Sequence, residues 1–358
     1  MELVSTHTRL GVVLGSDGSP VEIEGVLNPG IARDRDGDLL MYPRIVAEGN
    51  VSRIGLAKRH ERDGNVTFER LARVLEPETP YEQRVGGHGC EDARVTFVPR
   101  LDSYVMAYTA FGEAGPRIAL AVSKDGYSWR RLGLVEFFDT ALNDRDNKDA
   151  AFFPEPVLSP AGVLSYALYH RPMLQGSVNG QTPISVILAL DPNDRETTHL
   201  AYVPVSEVEH DISALCRAHE SIAVLGVDRR WGWLKNGAGT PPVRALGGWL
   251  SFFHGVDAIQ RDGRAALLYR AGFVVHDLER PHDILYRSPE PVLGPVTPDE
   301  RFGIVDDVVF PTGLDVRDDG TYDVYYGAAD AKISLARFNI DVDTIPLSEG
   351  ETITCQAT

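Results

Sequence analysis

Short β-rich apolar runs, not long amphipathic helices, make up most of this chain, and each is closed by a Gly, Pro or Asp turn. One order keeps returning: a short run, a turn, a second run ending in an aromatic, and a third run. The first copy starts at Asn28-Pro29-Gly30, turns at Asp36-Gly37-Asp38, and continues through Leu39–Tyr42 and Arg53–Ala57. The second passes from Glu91-Asp92 to Val98, then Tyr104–Tyr108 and Arg117–Val122, with a turn at Ser123-Lys124-Asp125-Gly126. The third begins at Lys148-Asp149, turns at Pro160-Ala161-Gly162, and takes Leu164–Tyr169 and Ile184–Ala189 as strands. The fourth covers Gly237–Pro242, Trp249–His254, Ala265–Tyr269 and Asp283–Arg287. The fifth covers Val308–Gly313, a turn at Asp318-Asp319-Gly320, Tyr322–Tyr326 and Lys332–Ala336.

Five copies at an irregular spacing of roughly 55 to 90 residues predict an all-β fold, a five-bladed β-propeller. A pair of β-sandwiches is the architectural alternative. The stretch Val205–Arg230 fits no copy and reads as an excursion between blades. Large all-β folds often form one unit, so residues 1–358 are expected to make a single domain. A propeller gathers the ends of its inner strands around one axis. The polar residues after each aromatic strand (Arg44, Thr109, His170-Arg171, His254, Asp330) would then share a ring with those before each turn. The latter are Asn28, Asp92, Lys148-Asp149, Lys235 and Asp306-Asp307. The plainest reading of such a ring is a wet channel with structural ion pairs.

Charge sharpens this. A net charge of −17 and a pI near 5.0 argue against nucleic acid or an anionic membrane as the main partner. An acidic chain that binds an anion must concentrate cations locally, and the ring does so. Cys90, Cys216 and Cys355 are too few and too scattered for a disulfide framework or a paired-cysteine metal site, which suits a reducing compartment. There is no signal-peptide pattern and no apolar run of 18 residues, so a cytoplasmic protein is expected. No metal and no organic cofactor are expected either: the His and Asp residues lack ligand spacing, and Gly237-Ala238-Gly239 runs into Thr240-Pro241-Pro242, not a helix.

The densest chemistry lies in Gly86-Gly87-His88-Gly89-Cys90-Glu91-Asp92-Ala93-Arg94, where two carboxylates and a histidine sit among glycines before a strand. Carboxylates at a strand mouth are candidates for acid or base work, and equally for a turn or a cap. On an extended strand Glu91 would point away from Asp92, and Arg94 would share the face of Asp92 and could pair with it. By the same alternation only one of His170 and Arg171 can face the axis. Lys148 could simply pair with Asp149, and His254, after the apolar Trp249–Phe253, could be a satisfied core histidine. The Tyr, Phe and Trp residues of the strands are most simply core, though some near the mouth, such as Tyr81 or Trp231, could stack on a ligand.

These blocks together resemble glycoside hydrolase family 130, the β-mannoside phosphorylases and related mannosidases. The resemblance rests on Asn28-Pro29, Tyr42-Pro43-Arg44, Gly89–Arg94, Asn147–Glu155, Tyr169–Pro172, Gly237–Pro242, Phe253–Val256, Tyr286–Pro291, Phe310–Gly313 and Tyr325–Asp330. In order, they span about 28–337, leaving terminal extensions either side. The resemblance implies a five-bladed propeller and inverting phosphorolysis of a short β-mannoside, giving α-mannose 1-phosphate. It makes Asp92 the single general acid, acting through the mannose 3-hydroxyl. Asn28, Arg44 and Asp330 would hold the mannose, and Lys148, Arg171, Lys235 and His254 would hold phosphate. Glu91, beside the acid, is then expected to orient a sugar or an arginine, or to form a purely structural pair.

That division is chemically coherent. An inverting hydrolase needs a second carboxylate to activate water, whereas phosphate is already a nucleophile and needs cations to position it. The basic group is expected from three different repeats. The alternatives are a β-mannosidase of the same family, whose hydrolytic members tend to lose the basic set, and a non-catalytic glycan-binding propeller. Linkage (β-1,4 or β-1,2) and acceptor depend on loops such as Glu76–His88 and Gly176–Thr182, and a homo-oligomer could complete the acceptor side.

Overall fold

The computed structural model describes residues 3–342 apart from 139, 175, 176, 178–180 and 262. Cys355 and much of the 176–182 loop therefore lie outside the described residues. The fold is all-β, and twenty of the strands fall into five antiparallel groups of four. Val157–Leu158 and Val243–Ala245 add short strands to the third and fourth groups, and Glu136–Phe137 pairs with Arg217–Ala218 in parallel. The first group holds Gly25–Arg33, Leu39–Ala47, Val51–Arg62 and Asn65–Leu75, paired in that order. The second holds His88–Val98, Ser103–Gly112, Gly115–Ser123 and Arg130–Leu134. A short parallel pairing, Val51 with His88 and Ser52 with Gly89, joins these two groups into one sheet. The third contains Asn147–Phe152, Leu164–Pro172, Thr198–Pro204 and Glu220–Leu225. The fourth contains Lys235–Ala238, Gly248–Arg261, Arg264–His276 and Ile284–Arg287. In the fifth, Val309–Val316, Tyr322–Ala328 and Lys332–Val342 are completed by Leu3–Leu14, so the two ends of the described chain share a sheet.

The turns follow from their side chains. Asp34 accepts from the backbone N–H groups of Asp36 (3.0 Å) and Asp38 (2.9 Å), closing the first hairpin around Gly37 at φ +89°. Asp125 does the same for Tyr127 and Ser128, both at 2.8 Å.

An apolar cluster fills each junction between neighbouring groups. Leu40, Tyr42 and Ile54 of the first group meet Val95, Met106 and Tyr108 of the second. Ile118 and Leu120 meet Phe152, Tyr166 and Leu168 of the third. Tyr169 and Leu200 meet Ala238 and Trp249 of the fourth, Leu250, Phe252 and Phe273 meet Val309, Val324 and Phe338 of the fifth, and Tyr325, Ile333 and Leu335 return to Ile31 and Met41 of the first. Each group thus packs on two neighbours. Burial at about 1.5–3 kcal/mol per large apolar side chain makes these junctions the main source of stability.

Two expectations about the strands need correction. Ile184–Leu188 is a short helix, with Ile187 buried while Val186 and Leu188 are 42% and 45% exposed. An apolar run that buries one side chain in several is following a helix, not the alternation of a strand, and Thr198–Pro204 supplies the strand instead. The supposed excursion Val205–Arg230 does contain helical turns at Val205–Val208 and Ile212–Cys216. It also contains Glu220–Leu225, the outer strand of the third group, hard to read because an edge strand buries little. Among the described residues no helix is long and apolar enough to cross a membrane.

Candidate functional site

The first strands of the first three groups share one irregularity. Pairing skips between Leu27 and Gly30, between Glu91 and Arg94, and between Lys148 and Ala151. At each skip an Asn or Asp takes a left-handed backbone: Asn28 at φ +45°, Asp92 at +51° and Asp149 at +61°. These residue types tolerate that region best after glycine, because their short polar side chains bond locally. Such a bulge breaks the two-residue alternation and turns consecutive side chains toward the same side. Glu91 and Asp92 therefore line one cavity, and so do Lys148 and Asp149. The expectation that Glu91 faces away from Asp92 is wrong for this reason.

The cavity has a volume of about 410 Å³, and its walls include Asn28, Arg44, Glu91, Asp92, Lys148, Arg171, Lys235, His254 and Asp330. At one end Asp92 Oδ1 accepts from Asn28 Nδ2 at 3.0 Å and from Arg44 Nη1 at 3.4 Å. Among the described residues nothing bonds to Asp92 Oδ2. Arg44 Nη2 lies 2.9 Å from Glu91 Oε1, with His88 Nδ1 at 3.2 Å and Lys148 Nζ 3.7 Å from the other oxygen. Burial alone would raise the Glu91 carboxyl, but Arg44, Lys148 and His88 hold it at about 2. Asp330 goes the other way: burial pushes it up to about 6, Arg44 opposing and Asp92 and Glu91 reinforcing. Asn28 Oδ1 is buried without a partner among the described residues, and Gly327 leaves it room.

The other end is cationic. Arg171 Nε donates to Asp149 Oδ2 at 2.6 Å, and Arg171 Nη1 donates to Glu196 Oε2 at 2.7 Å. Asp149 also has Arg94 Nη2 at 3.5 Å and His254 Nε2 at 3.8 Å. Burial opposes the charge of Asp149, yet Arg171, His254 and Arg94 keep its carboxyl well below the usual range. Burial lowers the Lys235 ammonium to about 8, with Arg171 adding to the effect and Glu196 opposing it. Burial also lowers His254 to about 3, so its ring is neutral near pH 7 and can donate from one nitrogen. Lys148 Nζ sits 5.2 Å from the centre of the Phe111 ring, on which His88 stacks at 3.9 Å.

Several expectations land elsewhere. Arg94 does not pair with the Asp92 carboxylate; it donates to the Asp92 and Gly239 carbonyls and reaches Asp149. Lys148 and Arg171 come from the third group and Lys235 and His254 from the fourth, so the basic set spans two groups, not three. Trp231 is fully buried, stacked on Phe253 at 5.2 Å, and cannot meet sugar. Tyr81 packs against the core of the first two groups. Asp306 and Asp307 both pair with Arg261 and do not line the cavity. His170 turns from the cavity toward Asn147 and Ser221. Tyr269, Phe111 and Gln181 line the cavity without having been singled out, and Asp149, placed in the polar ring only as a partner for Lys148, is a cavity wall too. Only Asp149 had a usable signal, the Asx-Ala step it shares with Asp92-Ala93. Among the described residues no group of three His, Cys, Asp or Glu side chains could hold a metal.

The cleft thus has buried carboxylates at one end and clustered cations at the other, chemistry suited to an enzyme site that takes an anion beside a second substrate. The fold recurs in the β-1,2-mannobiose phosphorylase of Listeria innocua in complex with β-1,2-mannobiose: TM-score 0.68, 22% identity, 94% of this chain and 96% of that one. It recurs in a putative glycoside hydrolase from Bacteroides ovatus at TM-score 0.67 and 21% identity, covering 91% and 93%. The chain belongs to glycoside hydrolase family 130: that family's pattern, described as beta-1,4-mannooligosaccharide phosphorylase, matches residues 6–182 and 219–345. The 1,2-beta-oligomannan phosphorylase of Thermoanaerobacter sp. (strain X514) is 31% identical over 290 residues, 80% of this chain and 78% of the relative. The beta-1,4-mannooligosaccharide phosphorylase of Ruminococcus albus is 34% identical over 119 residues, a third of each chain (33% and 34%).

Proposed function

We propose that this protein is an inverting phosphorylase of short β-mannosides, with Asp92 as general acid and inorganic phosphate as nucleophile. The observation that carries the reading is one cavity holding both the Asn28–Arg44–Asp92–Asp330 end and the Lys148–Arg171–Lys235–His254 end. Mannose occupies the first end, where Asp330 and the unpartnered Asn28 Oδ1 accept from its hydroxyls and Arg44 donates. Glu91, held ionised, fixes Arg44 and Lys148.

A phosphate oxygen attacks the anomeric carbon from the cationic end as the glycosidic bond breaks. Asp92 gives its proton, relayed by the mannose 3-hydroxyl, to the departing oxygen and is left as a carboxylate. The products are α-mannose 1-phosphate and the shortened acceptor. No second carboxylate is needed as a base, because the nucleophile arrives ionised. The five groups of strands, each packed on two neighbours, support a five-bladed propeller forming one catalytic unit. Phosphate is a co-substrate in this reading, and no metal takes part.

The test is incubation with β-1,2- and β-1,4-mannobiose, with and without phosphate. The broadly matching relatives named for β-1,2 linkages put that substrate first. Mannose 1-phosphate formed only with phosphate is the expected result. Free mannose without phosphate would overturn it in favour of a β-mannosidase, and no turnover would leave a glycan-binding protein.

A further inference from the structure

Arg171 is held by two buried carboxylates. Its Nε donates to Asp149 and its Nη1 to Glu196, and among the described residues Nη2 bonds to nothing. Since Arg171 lines the cavity, Nη2 is the edge offered to an anion. The two carboxylates differ in one respect. Asp149 is itself a cavity wall, whereas Glu196 is not and is 2% exposed.

Glu196 is also a junction. Besides Arg171 it accepts from the Leu174 backbone N–H at 3.2 Å and pairs with the Thr182 hydroxyl, and its carbonyl accepts from Asn236 N–H at 3.1 Å. Asn236 follows Lys235 directly, so one residue ties the backbone carrying Lys235 to the guanidinium of Arg171. Glu196 lies between the residues matched by the family pattern, in 183–218. A buried carboxylate bonded on both oxygens cannot swing, and a guanidinium bonded on two edges keeps only the third free.

We propose that Glu196 is a positioning residue for phosphate: it clamps Arg171 against Asp149 so that Nη2 faces the anion, and it fixes the spacing between Arg171 and Lys235. The inference rests on the phosphate role proposed for Arg171. Outer partners that orient metal ligands change metal affinity by about 10- to 100-fold when removed, and Glu196 stands to Arg171 and its anion as such a partner stands to a ligand and its metal.

Glu196→Gln keeps the size and one acceptor but loses the charge. The expected result is a rise of about tenfold in the KM for phosphate, with the KM for mannoside within about twofold of wild type. Titration calorimetry with inorganic phosphate alone should show the same loss. A folded variant with unchanged phosphate constants would overturn the proposal, and so would equal rises for phosphate and mannoside. Thr182→Val, which removes only the hydroxyl on Glu196, should move the phosphate constant in the same direction by about threefold. If Glu196→Gln does not fold, Thr182→Val decides, and an unchanged phosphate constant there overturns the proposal. Free mannose from the wild-type enzyme would sink the phosphorylase reading alone, while calorimetry with phosphate would still decide the role of Glu196.

Discussion

The two ends of the cleft are built from the same kinds of charged group in opposite proportion. At the Asp92 end three carboxylates, Glu91, Asp92 and Asp330, share two cations, Arg44 and Lys148, and both of these pair with Glu91. That shortage is why Asp330 is pushed up to about 6 while Glu91, nearest the cations, is held at about 2. At the Arg171 end the cations are in excess: Arg94, Arg171 and Lys235 share Asp149 and Glu196. There it is the ammonium of Lys235 that yields, down to about 8. In a buried site the group least compensated by opposite charge is pushed toward its neutral form. One end is suited to exchange a proton with a sugar and the other to hold a further anion.

Breaking the first end should have the largest effect. Asp92→Asn preserves an oxygen that can accept from Asn28 and Arg44, so the architecture should survive while the proton is lost. Turnover with an unactivated mannoside should fall by about 10²–10⁴ with the phosphate dissociation constant unchanged. Near-normal turnover would refute the assignment of the acid. At the other end Arg171→Lys keeps the charge but replaces the planar fork, which reaches Asp149 and Glu196 from two nitrogens, by one ammonium for which both carboxylates and an anion compete. Its kcat/KM for phosphate should fall by about 100-fold, with mannoside binding measured on the free enzyme little changed. Equal losses for both substrates would mean that the two ends are not separable.

How much of this contrast was legible in the sequence depends on the kind of interaction. The five groups could be read because Asp-Gly turns and aromatic strands recur, as at Asp36-Gly37 and Asp319-Gly320. The short run Ile184–Leu188 carries no period that separates strand from helix, and Glu220–Leu225 lacks the buried face that marks a strand. Asn28, Arg44, Asp92, Lys148, Arg171, Lys235, His254 and Asp330 were picked out through motifs and the resemblance they carry, whereas Phe111, Tyr269 and Gln181, which also border the cavity, were not. Side-chain direction at Glu91 was misread because the bulge at Asp92 is a backbone event that alternation cannot anticipate. Asp149 looked like a local partner of Lys148, but its contacts are Arg94, Arg171 and His254, on three other strands. Glu196 sits in no motif, and only the folded chain puts it against Arg171.

Two glycines allow each end to be disturbed without touching a charge. A Cβ at residue 327 would fall on Asn28 Oδ1, and a Cβ at residue 237 would fall on Asp149 Oδ2 and the His254 ring. Gly327→Ala should raise the KM for mannoside by about tenfold and leave phosphate nearly unaffected, and Gly237→Ala should do the reverse, each by displacing the partner side chain. Parallel losses for both substrates in either variant would show that the strain spreads through the cleft instead of staying at one end.

The smallest expected effects, a few-fold in rate, concern pH. Lys235, lowered to about 8 by burial and by Arg171, is charged below that pH and neutral above it. The kcat/KM for phosphate should therefore decline as pH rises through about 8. At saturating phosphate the bound anion holds the proton on the ammonium, so the same limb in kcat should move upward. Asp330, raised to about 6 by burial, is ionised above that pH and neutral below it. If its carboxylate accepts from mannose, the kcat/KM for mannoside should fall below about pH 6 while phosphate binding to the free enzyme shows no matching limb. Lys235→Arg separates the two assignments, because a guanidinium does not titrate in this range. The variant should lose the upper limb and keep the lower one, and an upper limb that persists would mean that a group other than Lys235 sets it.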